Sequence, residues 1–156
     1  MKYLTYELSD KASSFDGEEY EAEWNEQYKK FLDEFNQLSK RLPKSFLTEF
    51  KKKHFHDNII NLLSIEKIKV KRGYEYLLTM NLLDYHDEKL IHNLVFSNVK
   101  NFKSDLSFGA FAGSCDWLYC EILAVNEKRL YLEVALFSDS YLYFEFSKLR
   151  YKKLIS

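Results

Sequence analysis

The densest run of chemistry-bearing side chains is Lys51-Lys52-Lys53-His54-Phe55-His56-Asp57-Asn58. Two histidines and a carboxylate this close together are metal ligands by type. A metal-dependent hydrolase would use His54, His56 and Asp57, joined by His86 from a second His-Asp pair at His86-Asp87. A three-histidine set of His56, His86 and His92 is the variant. The spacing demands neither. Asp57 directly follows His56, the final His of an H-x-H-x-D-H pattern is missing, and no later helix carries further ligands. A structural role ranks ahead. The pair stands where a helix gives way to a strand, so Asp57 can accept backbone N–H bonds and His56 can cap carbonyls.

The other reactive groups are sparser. Cys115 and Cys120 lie five apart, on opposite faces of one strand, so a bond between them is disfavoured. A nucleophilic Cys115 would need a base that no recognisable spacing supplies, and an inert core thiol is the stronger reading. Gly109 and Gly113 bracket FGAFAGS, which lacks both G-x-G-x-x-G and G-K-[ST] and therefore cradles no phosphate; a bend before the Trp117 strand explains them. Glu121, Glu133 and Glu145 recur every twelve residues, one per strand. In register they form an acidic row that calls for cations, either a partner's or Arg129, Lys148 and Arg150. Lys67, Lys69, Lys71 and Arg72, with many tyrosines nearby, are the ingredients of a single-stranded nucleic acid surface. That reading ranks third, because the RNP-type and cold-shock signatures are absent.

Composition bounds these options. The chain has 156 residues, 30% of them charged, and includes 12 Tyr and 13 Phe but only 4 Gly and 1 Pro. One soluble domain, residues 1–156, is the expectation, and disordered or collagen-like classes are excluded. No apolar run reaches the roughly 18 residues of a membrane helix. The net charge of −1 argues against nucleic acid as the main partner. It is unevenly spread: residues 1–39 hold 4 Lys/Arg against 10 Asp/Glu, and residues 40–103 hold 13 against 7. The opening residues lack the apolar stretch of a signal peptide, so a reducing, cytoplasmic location is expected, with no cofactor and no membrane partner.

Periodicity supplies the elements. Residues 1–8 alternate weakly and read as a short strand or an extended arm, and 9–17 as a loop. Trp24, Tyr28, Phe31, Phe35, Leu38 and Leu42 recur at steps of four and three, which predicts a helix over 18–41. Pro43 opens a second short helix over 43–53. From residue 57 the period falls to two. Strands are predicted over 58–71 (single or bulged), 74–83, 90–97, 115–125, 128–137 and 141–154, with an irregular stretch near 98–112 and tight turns at Asn126-Glu127 and 138–140. The order predicts an α+β fold, a helical layer of two helices (about 18–53) on an antiparallel sheet of about six strands (about 57–154). Leu130, Leu132, Val134 and Leu136 pair with Leu142, Phe144 and Phe146 as one face. Tyr131, Glu133, Tyr141, Tyr143 and Glu145 form the other, half-wet.

Several stretches carry a resemblance: HDNII at 56–60, VFSNV at 95–99, WLYCEI at 117–122 and FSDSYLYFEF at 137–146. Over about residues 20–151 the chain resembles small Bacillus-type bacterial families of unknown function, with an LHD-x-x-I step and a WLYxEI strand. They are similar in pattern to immunity proteins that neutralise polymorphic toxins. Phe55 stands where Leu is usual, and Cys120 fills the variable position. The resemblance implies a non-enzymatic protein-binding domain, with an unidentified protein partner such as a toxin, acting as a monomer or homodimer. It transfers no catalytic residue. Because tyrosine favours interfaces, the residues expected to bind the partner are Tyr119, Glu121, Tyr131, Glu133, Tyr141, Tyr143 and Glu145.

Overall fold

The computed structural model describes residues 1–12, 18–105, 116–137 and 140–155. The helices are α1 (Tyr6–Ala12), α2 (Glu18–Leu38) and α3 (Lys44–Lys53), with a 3-10 turn at Ser39–Arg41. The strands are β1 (Ile59–Val70), β2 (Gly73–Leu83), β3 (Leu90–Ser97), β4 (Lys100–Asp105), β5 (Trp117–Asn126), β6 (Arg129–Leu136), β7 (Tyr141–Phe146) and β8 (Lys148–Ile155). All pairings are antiparallel, in two four-stranded sheets ordered β1-β2-β3-β8 and β4-β7-β6-β5. The fold is α+β, as expected, but with a third helix and a second sheet.

Two chain segments, β3–β4 and β7–β8, run from one sheet into the other. The β3–β8 ladder ends at Ser97 and Lys148, and the β4–β7 ladder resumes at Lys100 and Glu145. One bent two-stranded ribbon therefore feeds both sheets. The expected single strand over 141–154 is two strands broken at Ser147, because the inward phase slips there. Leu142, Phe144 and Phe146 are buried, then Leu149 and Tyr151. The same slip separates Leu94 and Phe96 from Val99 on the other branch. The expected irregular stretch conceals β4, a polar edge strand with only Phe102 half-buried and a shifted register between Lys100 and Lys103.

The core fills the space between the sheets and the helices. Phe31 and Phe35 from α2, Phe46 and Phe50 from α3, and Phe55 meet Leu78, Met80, Leu82, Phe96, Trp117, Phe144 and Phe146, all nearly fully buried. Each such side chain contributes about 1.5–3 kcal/mol by leaving water. α2 packs on β5 and α3 on β8, each an outer strand of its sheet. The expected arm over residues 1–8 becomes helical from Tyr6, because Leu4 and Leu8 lie one turn apart and both are buried. The turn after β5 is Glu127-Lys128, one residue later than expected, since Asn126 still pairs with Arg129. Cys115, the FGAFAGS segment and part of the 138–140 turn lie outside the described residues. No described helix is long and apolar enough to cross a membrane.

Candidate functional site

The His-Asp run forms a tight turn rather than a ligand set. α3 ends at His54, which adopts a left-handed conformation, and Phe55 and Asp57 also have positive φ. Such backbone persists only where its surroundings over-determine it. Here Phe55 is driven into the core, its ring within about 6 Å of those of Phe46, Phe50, His92, Trp117 and Tyr151. The Asp57 N–H donates to the Trp117 carbonyl, and the Trp117 N–H to that of Asn58. The turn thus stitches the end of α3 to β5.

Of the four candidate metal ligands, His86 stands apart from the other three. His54 packs its ring on Tyr28 and Phe50, and its burial holds its pKa below the ordinary value. His56 bonds Asp57 at 2.8 Å and faces Tyr119. Those two histidines line a pocket of about 250 Å³ with Trp24 and Tyr28. His86 lines a different pocket, with Glu49, Asp84, His92 and Lys153. Among the described residues no three His, Cys, Asp or Glu side chains gather as a metal centre. Of the three-histidine variant, His86 and His92 line one pocket and His56 another. His92 spends both ring nitrogens inside the protein, Nδ1 at 2.7 Å from the Tyr151 hydroxyl and Nε2 at 3.0 Å from Asp84 Oδ2.

That Asp84–His92–Tyr151 chain is a buried polar strut that sequence reasoning missed as a unit. It ties the β2–β3 turn to β8. Burial would push the Asp84 carboxyl up, but His92 and the N–H groups of His86 and Asp87 outweigh it and hold the pKa below the ordinary value. Burial, then the charges of Glu49 and Asp84, push the Tyr151 hydroxyl well up. Cys120 is equally inert. It is buried, its thiol is pushed far up by that burial, and its Sγ lies 3.8 Å from the His54 carbonyl oxygen.

The expected partner-binding residues share one face of the β4-β7-β6-β5 sheet, but most are engaged by the chain itself. Glu121 faces Glu133 directly across the β5–β6 ladder, whereas Glu145 is offset, opposite Tyr131. Glu121 has no exposed surface. Its carboxylate accepts the backbone N–H groups of Lys2, Tyr3 and Leu4, at 2.7 Å for the first and 2.6 Å for the second. It is therefore an internal anchor and presents nothing to a partner. Glu133 holds the Met1 ammonium at 2.8 Å. Asn101 and Arg129 hold the Glu145 carboxyl below its ordinary pKa against the effect of burial. Tyr119 packs edge-on to Trp24 at 4.9 Å, and Tyr131 lies 5.5 Å from Tyr143. Tyr141 is the exposed member, at 40%. The cations that the acidic row calls for are thus supplied from within, by the N-terminal arm and Arg129.

A second polar-aromatic surface is open. β1 and β2 pair as far as Val70 and Gly73, but β3 joins β2 only from Leu77 onward. Beyond that point the two strands project as a ribbon, closed by a two-residue turn at Lys71-Arg72 that Gly73 permits with φ +96°. The inward face of β2, buried at Leu78, Met80 and Leu82, emerges on the ribbon as Tyr76 and Tyr74. Between ribbon and β4 lies a groove of about 520 Å³, the largest of the pockets described here, whose walls include Ile65, Tyr74, Tyr76, Val99 and Phe102. Tyr74 is 65% exposed.

No family model, curated protein or solved structure matches the chain.

Proposed function

We propose that the protein is a binding module that engages another protein through the projecting β1–β2 ribbon and the groove beneath it. The observation that carries this reading is the groove itself. The face of β2 that is core further down the strand carries exposed side chains there, Tyr76 and Tyr74, with Ile65 of β1 beside them. An isolated two-stranded hairpin is marginal in water. Keeping Tyr74, Tyr76 and Ile65 exposed on one makes sense where a partner completes the packing. The resemblance to immunity families adds a toxin as the kind of partner, one neutralised by contact. The outer sheet face around Tyr131, Tyr141 and Tyr143 is the flanking surface in this reading.

The test is affinity capture from the native cell with wild type and two variants, Tyr74→Ala/Tyr76→Ala and Tyr141→Ala, all verified as folded. A stoichiometric protein retained by wild type and Tyr141→Ala but lost from the ribbon variant supports the assignment. Retention by the ribbon variant with loss from Tyr141→Ala moves the surface to the outer sheet face and overturns it.

A further inference from the structure

Charge is sorted across the ribbon. The register places Lys67 opposite Tyr76 and Lys69 opposite Tyr74, on the same face as Ile65. Glu66 and Glu75 alternate to the other face, although Glu75 still borders the groove's rim. Lys71 and Arg72 stand at the tip, and Lys100 lines the groove from β4. Among the described residues no carboxylate pairs with any of these five cations. Lys2, Lys11, Lys30, Lys52, Lys153 and Arg129 have acidic partners, whereas Lys29, Lys44, Lys51 and Lys128 also lack one among the described residues, so the ribbon's cations are set apart by their clustering on one strand pair beside exposed tyrosines.

Deepening the binding-module reading on which it rests, we propose that the groove takes an extended acidic segment of the partner, with one apolar residue anchored over Ile65, Val99 and Phe102 and carboxylates on Lys67 and Lys69. The spacing sets the pattern. Ile65, Lys67 and Lys69 succeed one another at about 6.6 Å along β1. An extended segment presents alternate residues to one side at the same interval. The recognised pattern is therefore an apolar residue with acidic residues two and four positions away.

Two observations favour a peptide over a single-stranded nucleic acid. Lys67 Nζ sits 4.5 Å from the centre of the Tyr74 ring, occupying one face that a base would need for stacking. The apolar floor is also recessed, with Val99 only 5% exposed, so it suits a side chain entering end-on rather than a flat base.

The probe is a synthetic peptide with one Phe, Glu two, four and six residues after it, and Ser between them. Its controls are the same peptide with Gln for Glu and a ten-nucleotide oligouridylate, all titrated into the full chain with amide NMR as readout. The expected result is saturable shifts confined to residues 65–76 and 98–102, weakened about tenfold by Lys67→Glu/Lys69→Glu and reduced by salt. Absence of saturable shifts at about 1 mM peptide overturns the proposal. So does equal binding of the Gln peptide, or tighter binding of the oligouridylate. If the peptide fails while Tyr74→Ala/Tyr76→Ala still abolishes capture of the partner, the acidic chemistry is wrong and the binding surface stands.

Discussion

The outer face of the β4-β7-β6-β5 sheet and the β1–β2 ribbon are built from the same materials, tyrosines interleaved with charges on antiparallel strands. On the sheet, the carboxylates are consumed. Glu121 is wrapped by backbone N–H groups of residues 2–4, Glu133 by the Met1 ammonium and Glu145 by Asn101 and Arg129. On the ribbon, Lys67, Lys69, Lys71 and Arg72 have no acidic partner among the described residues. Composition alone therefore does not distinguish a self-satisfied surface from an open one. The accounting of partners does, since a charge already hydrogen-bonded within its own fold has little left to offer another molecule.

If the contrast is right, changes on the sheet face alter stability and changes on the ribbon alter binding. Glu121→Ala is the harshest test. It should cost about 3 kcal/mol or more in urea unfolding, because it strips the anchor from three backbone donors, and Glu121→Gln should cost about half as much. A loss below about 0.5 kcal/mol for Glu121→Ala would erase the distinction between the two surfaces. His92→Ala, a buried control away from both, should cost about 2 kcal/mol by leaving the Tyr151 hydroxyl and Asp84 without their partner.

Acid gives a third effect. The folded Asp84 pKa lies below the ordinary 3.8, so its contribution is complete above that value and is lost as pH falls through the folded pKa. Asp84→Asn should flatten the decline of Tm below about pH 4 relative to wild type. Smallest of all is Tyr74→Ala, expected within about 0.5 kcal/mol of wild type in the same urea measurement, although it removes part of the binding surface. A larger loss would mean that the ribbon is held by its own packing and is less open than its exposure indicates.

Much of this architecture is written in the sequence. The aromatic stripe from Trp24 to Leu38 marks α2, and the period of two marks most strands. Even the sheet switch has a signal. Inward residues change from even to odd numbers between Phe146 and Leu149, and between Phe96 and Val99, so both branches slip phase at the level where Ser97 faces Lys148. An alternation read strand by strand does not reveal that the two slips are neighbours. β4 was hidden because an edge strand needs few apolar residues. The candidate site was legible only as ingredients. The lysines and tyrosines of 67–76 are visible, but their openness depends on β3 beginning its pairing at Leu77, which is a matter of register. The fate of Glu121 was not legible at all, because its partners are main-chain groups with no sequence signature.

The grip of Glu121 on residues 2–4 also bears on how the native protein breathes. Those bonds join positions 117 to 119 residues apart, so the arm can lift without unwinding any local ladder. Lifting it leaves Glu121 and Glu133 facing each other across β5 and β6 with no opposing charge, which penalises the open form. The amides of Lys2, Tyr3 and Leu4 should accordingly exchange with solvent deuterium far more slowly than chain-end amides ordinarily do. Their exchange should quicken in Glu121→Gln, making those three amides a clock for the arm's release.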